Sequence, residues 1–163
     1  MFIRKLFSND LLVELSERKI AIQTIGNGAK LEYEPYLAVE TSGTKSLIKS
    51  VGSEARLQSG TGIQVINPFS HPRSFIADFY VAEKLIQHGV REVLKSKSFK
   101  LSPRIIMHQL EKVEGGLTNV EERVLRELAP SGGARDVITY VGKQLDPNTI
   151  TFEDMKRNKS KTP

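Results

Sequence analysis

Between Phe75 and Lys95 the apolar and polar positions repeat with the period of a helix. Ile76, Phe79, Ala82, Ile86, Val90 and Val93 recur every three or four residues, while Asp78, Lys84, Gln87, His88, Arg91 and Lys95 fall mostly on the other side. This spacing predicts an amphipathic core helix with one buried face. Ser74 is the expected N-cap, and Pro72 keeps the helix from starting earlier. Gly89 within a helix costs about 1 kcal/mol relative to alanine, so its presence points to a close packing contact.

Upstream, the pattern shortens to strands. Leu11–Leu15 and Lys19–Thr24, joined by Ser16-Glu17-Arg18, read as a hairpin, and Gly26-Asn27-Gly28 turns the chain again. Glu34–Glu40 is expected to be the third strand of the meander. Residues 46–68 shift in composition: Leu47-Ile48 and Ile63–Ile66 bracket a polar stretch, and the segment reads as a small insertion on the first sheet. Downstream of the long helix, Pro103–Met107 is a compact apolar run expected to be a buried strand. Thr118 and Glu121 have capping-box spacing and open a helix over Asn119–Ala129 that is expected to bury Val120, Val124, Leu125 and Leu128. Pro130 and Gly132-Gly133 stop it, and Asp136–Val141 is the last strand. The order is a β-β-β meander, an insert, then α-β-α-β, which predicts an α/β mixed sheet with crossover helices.

Composition changes this picture little. The 163 residues are 39% apolar and 26% charged, an ordinary globular balance for one domain with its own core. No apolar run approaches the roughly 18 residues of a spanning helix, and residues 1–7 have no signal-peptide core or cleavage site. Cys is absent, so no disulfide framework or thiolate metal site is available, and a cytoplasmic setting fits. Part of the net charge of +5 sits in Lys156–Lys161, so residues 146–163 are expected to form a basic, disordered tail. There is no aromatic stacking pattern or recognition helix, and no nucleic-acid partner is expected. Phe2, Ile3, Leu6 and Phe7 share a helical face beside Arg4 and Lys5, which makes residues 1–7 a candidate segment for peripheral contact with the inner membrane.

Catalytic signals are weak. No G-x-S-x-G elbow is present, and His71, His88 and His108 lack metal-ligand spacing, so no metal site is expected.

Separated motifs nevertheless agree in order with one family. Ser8–Leu11, Phe75–Phe79 with Glu83-Lys84 and Gln87-His88, Ser102–Arg104, Thr118–Arg123 and Gly133–Val137 together resemble the N-terminal half, domain I, of the rod-shape-determining bacterial actins, the MreB family. The resemblance implies an actin-like, ribonuclease H-like fold over residues 8–145, with 46–68 as the small outer subdomain. It also implies an ancestry of ATP binding and filament assembly.

The departures lie at the phosphate loop. Where the family has Asp-Leu-Gly-Thr-Ala-Asn-Thr, this chain has Glu14, Leu15, Ser16, Glu17, Arg18, Lys19 and Ile20. Ser16 replaces the glycine that lets amides approach a phosphate, and Glu17 brings a repelling carboxylate. The second phosphate loop has no counterpart in the chain. Glu121 matches the family's water-positioning glutamate, but its expected role is the cap. The expectation is a non-enzymatic protein without a nucleotide cofactor, acting in the cell-shape cytoskeleton through full-length MreB or copies of itself. A residual ATPase and an adaptor in a pilus or secretion assembly are the alternatives. Because the chain lacks the half that covers one sheet face in the family, leftover apolar surface and a homo-oligomer are expected.

Overall fold

The computed structural model describes residues 9–26, 28–97 and 101–160. At its centre is β1 (Asp10–Leu15), a strand buried at every position because it is covered on both faces. β2 (Ile20–Thr24) and β3 (Lys30–Tyr33) add antiparallel on one side; β7 (Arg104–Gln109) and β8 (Asp136–Tyr140) add parallel on the other, giving the order β3-β2-β1-β7-β8. This is the expected mixed α/β sheet.

Side chains alternate across it. Leu11, Val13, Leu15, Ile105 and Met107 point toward α2 (Phe79–Leu94) and α3 (Asn119–Ser131) and form the main core. Leu12, Ile106 and Ile138 point the other way and pack around Phe152 of α4 (Phe152–Lys159). A second sheet, ordered β5-β4-β6, is built from β4 (Leu37–Ser42), β5 (Lys45–Val51) and β6 (Ile63–Ile66), with α1 (Ser53–Arg56) beside it. Leu37, Val39, Val51 and Ile66 tie it to the main core.

Several expectations need correction. The third meander strand is Lys30–Tyr33, not Glu34–Glu40. Pro35 has no N–H to give a ladder, the chain turns there, and Leu37 starts the second sheet instead. That sheet therefore runs from Leu37 to Ile66, a longer unit than the 46–68 insertion. The long helix starts at Phe79 with Asp78 as N-cap, whose Oδ1 accepts from the Val81 amide at 3.0 Å. Ser74, the expected cap, donates to the Ile76 carbonyl instead. Phe79 and Val120, expected in the core, are 38% and 72% exposed; in the first turn of α2 the residues that face the core are Val81 and Ala82, at 2% and 0%, and in α3 the buried face begins at Leu125.

The largest correction concerns the C-terminal residues. Residues Phe152–Lys159 form α4 instead of part of a disordered tail: Thr151 caps it through the Asp154 amide, and Phe152 is fully buried. That helix also removes the reason given for leftover apolar surface, since Leu12 and Ile106 beneath it are 0% exposed. The membrane-contact candidates Phe2, Ile3, Leu6 and Phe7 lie outside the described residues. No helix among the described residues is long and apolar enough to cross a membrane.

Gly89 does mark a close contact. A Cβ there would meet the Tyr33 hydroxyl at 2.4 Å and Ile22 Cδ1 at 2.5 Å. Tyr33 cannot swing aside cheaply, because its hydroxyl donates to the Leu85 carbonyl at 2.6 Å. Gly89→Ala gains about 1 kcal/mol of helix propensity and loses about 1–3 kcal/mol to overpacking. Urea unfolding should therefore show a net loss of stability. In the Tyr33→Phe background, where the clashing oxygen is gone, the same substitution should cost less. Equal costs in the two backgrounds would assign the penalty to Ile22 alone.

Candidate functional site

The parallel strands β1, β7 and β8 end side by side, and the polar residues at their C-terminal ends line up in register. Glu14 pairs with His108, and His108 with Tyr140. These three continue the Leu12–Ile106–Ile138 face toward the strand ends, so a polar trio sits where the lower core would otherwise go on. His108 is 0% and Glu14 5% exposed. The imidazole is held from three directions. Tyr140 meets it edge-on with centroids 4.7 Å apart. Nε2 lies 3.3 Å from the Gly142 carbonyl. Nδ1 lies 3.6 Å from Glu14 Oε1, and neither of those two atoms has a hydrogen-bond partner. Because a carbonyl only accepts, Nε2 donates; a neutral ring then turns the Nδ1 lone pair toward the carboxylate, and only the imidazolium donates on both sides.

The β1–β2 turn, where the resemblance places a phosphate loop, is closed by its own groups. The Ser16 amide and hydroxyl both donate to the Lys19 carbonyl at 3.0 Å, and the Lys19 amide donates back to Ser16 Oγ at 3.0 Å. The Glu17 amide donates to Glu111 Oε2 at 2.8 Å, so a carboxylate of this chain occupies that outward donor. Asn67 Nδ2 holds the Glu17 carbonyl at 2.8 Å. The Gln109 side chain donates to the carbonyls of Glu111 and Lys112, at 2.9 and 3.3 Å, and so shapes the segment that carries Glu111. Lys112 Nζ in turn donates to the carbonyls of Phe69 and His71. The side chains of Glu17 and Arg18 are exposed. The turn region thus holds three carboxylates, Glu14, Glu17 and Glu111, and no glycine.

Glu121 stands apart from this turn, on the first turn of α3. Its Oε2 accepts from the Thr118 amide and hydroxyl, each at 2.8 Å, and the Glu121 amide donates to Thr118 Oγ1 at 3.2 Å: a capping box with both halves made.

Its neighbour Glu122 has more partners. Glu122 Oε1 accepts from Lys159 Nζ at 2.5 Å, Arg126 at 3.0 Å and the Thr139 hydroxyl at 3.1 Å. The Lys159 bond, then the Arg126 bond, push its pKa down to about 2. At the far end of α4, Glu153 binds Arg104 at 2.6 Å, which also lowers the Glu153 pKa. These anchors fix α4 across the sheet. A depressed carboxylate stabilises the fold above its unfolded pKa and ceases to as pH falls through the folded one. The Glu122 carboxyl, followed by NMR, should therefore inflect near 2, and its hold on α4 should be lost only as pH falls to that value. Inflection at its ordinary 4.5 would mean that Lys159 does not hold it in solution.

The hairpin turn Ser16-Glu17-Arg18 lies where the sequence places it, with Glu14 in the strand that leads into it. Sequence reasoning missed His108 as the Glu14 neighbour, Glu111 as the occupant of the turn amide, and Glu122 as an anchor. Glu17 and Glu111 are 94 positions apart, and no local spacing signals such a pair.

A family profile described as MreB/Mbl protein matches residues 8–143. The cell shape-determining protein MreB of Pasteurella multocida is 36% identical over 161 residues, covering 91% of this chain and 44% of the relative. The crystal structure of MreB5 of Spiroplasma citri bound to ADP superposes with a TM-score of 0.60 at 18% identity, over 81% of this chain and 38% of that one. The MamK double helical filament superposes with a TM-score of 0.54 at 19% identity, over 82% and 41%. The last two show an actin-like fold. This chain spans less than half the length of the MreB relatives it matches.

Proposed function

The chain belongs to the MreB/Mbl family, and from that premise we propose that it is a non-catalytic member of the cell-shape cytoskeleton that acts by binding protein. Its partner on this reading is a filament of full-length MreB or a second copy of itself. The observation that carries the loss of nucleotide chemistry is the occupied turn. A phosphate needs free amides on a close-approaching backbone; here the Glu17 amide already holds the Glu111 carboxylate, and Ser16 closes on Lys19. Glu14 and Glu17 add like charge beside any incoming phosphate. Glu121, the residue a residual ATPase would need, has its carboxylate committed to the Thr118 cap.

Support for assembly comes from a relative in filament form, MamK. On this reading the protein works on the cytoplasmic side, with residues 1–7 as the segment that would touch the inner membrane. Co-pelleting tests the role: the protein should sediment only when filaments of the full-length MreB from the same organism are present. Staying in the supernatant would separate ancestry from role. Calorimetry with ATP and magnesium tests the chemistry independently. No heat of binding is expected, and a micromolar, magnesium-dependent Kd would overturn the non-catalytic reading.

A further inference from the structure

Between the second sheet and α2 lies a half-open cavity of about 360 Å³, away from the turn described above. Its size falls at the lower end of small-molecule sites. One part of its wall is apolar, from Leu37, Ile48 and Val51; the other is cationic, from Lys49, Lys84 and Arg91. Glu54 is the single carboxylate in the lining.

The cations differ in how far they are already satisfied. Lys49 is paired with Glu40 at 3.1 Å. Lys84 donates to Gln87 at 3.3 Å and lies 5.2 Å from the centre of the Tyr80 ring. Arg91 is exposed and makes no hydrogen bond or ion pair among the described residues. Three neutral polar groups complete the wall, Gln87 and two more. The Ser50 hydroxyl is buried and has no hydrogen-bond partner, an arrangement that asks for a ligand or a water. His88, packed edge-on against Tyr33, has its pKa lowered by burial and so offers an uncharged ring to the cavity at neutral pH.

We propose that this cavity binds a small organic anion, with a phosphate or carboxylate head held by Arg91 and Lys84 and the Ser50 hydroxyl, and an apolar body against Leu37, Ile48 and Val51. The guanidinium fork suits an oxyanion better than a point charge does. Placing the cations beside an apolar wall selects an amphiphilic anion over free phosphate, because burial of the body adds what the head alone lacks. The site joins two separately built units, so an occupant would brace the second sheet against α2.

Phenyl phosphate is the probe, titrated into the full chain and followed by amide NMR. Saturable shifts at Ser50, Val51, Gln87 and His88 are expected. Inorganic phosphate and benzyl alcohol should each bind at least tenfold more weakly. Arg91→Ala, an exposed change, should weaken phenyl phosphate at least fivefold, Arg91→Lys should recover only part of that, and Glu54→Gln should tighten binding. Shifts that grow without saturating, that map elsewhere, or that are the same in Arg91→Ala would overturn the site. These outcomes do not depend on whether the turn binds ATP, which the calorimetry reads separately.

Discussion

Phe152→Ala should unfold the protein at markedly lower denaturant, at a cost of about 3–5 kcal/mol. Phe152 is fully buried and completes a cluster with Leu12, Ile106 and Ile138, all at most 3% exposed. Truncating the ring empties the space between α4 and the sheet, and the remaining side chains, fixed on strands, cannot close it. Phe152→Leu keeps most of the apolar volume and should cost less than half as much. A chain ending after Leu145 should fare worst, because the whole face over Leu12 and Ile106 is then exposed to water. The measurement is urea unfolding of the three variants side by side. Unchanged midpoints would restore the sequence reading of a disordered, dispensable tail.

The second large effect lies one residue away from that ring. Arg104 Nε and Nη2 donate to the two oxygens of Asp10 at 2.7 and 2.6 Å, and Nη1 reaches Glu153. The guanidinium also lies 4.6 Å from the centre of the Phe152 ring. Asp10 and Arg104 side chains are only 9% and 18% exposed. The Asp10 bond is the leading cause holding the Arg104 pKa up. Removing Asp10 leaves the Arg104 guanidinium with only its Nη1 bond to Glu153, where water reaches it poorly. Asp10→Ala should cost about 3 kcal/mol. The double replacement Asp10→Leu with Arg104→Met should cost less than the sum of its single changes, because no charge is left behind. Simple additivity would show that the pair is solvated and contributes little. Arg104→Ala combined with Phe152→Ala should also be non-additive, since the guanidinium rests on the ring.

The two effects share one cause. α4 is joined to its surroundings through an apolar ring, the Arg104–Glu153 bond at one end and the contacts of Lys159 with Glu122 and Thr139 at the other. Any of these can fail alone with the helix still partly attached, so graded loss is expected in the single variants and full loss only in the truncation.

What the sequence determined by itself is what short-range spacing encodes. The 3.6-residue period around Ala82, Ile86, Val90 and Val93 placed α2, and the Thr118–Glu121 spacing placed the cap of α3, because both signals lie within a few turns of one element. The order of separated motifs was enough for the family and its actin-like α/β fold. Gly89 announced a close approach because glycine in a helix is costly, though not that the partners are Tyr33 and Ile22.

Only the tertiary structure decided the rest. Read locally, Phe-Glu-Asp-Met-Lys-Arg-Asn-Lys is a charged stretch with two apolar residues, and nothing in it tells a docked helix from a solvated tail. The sheet supplies the apolar face for Phe152 and the acceptors for Lys159. Likewise Asp10, which Arg104 grips, and Glu111, which holds the Glu17 amide, each lie 94 positions from their partner. A contact across that distance is made by the sheet register and the loops that follow it. Until the strands are aligned, no property of either residue alone distinguishes a pairing side chain from one that points into water.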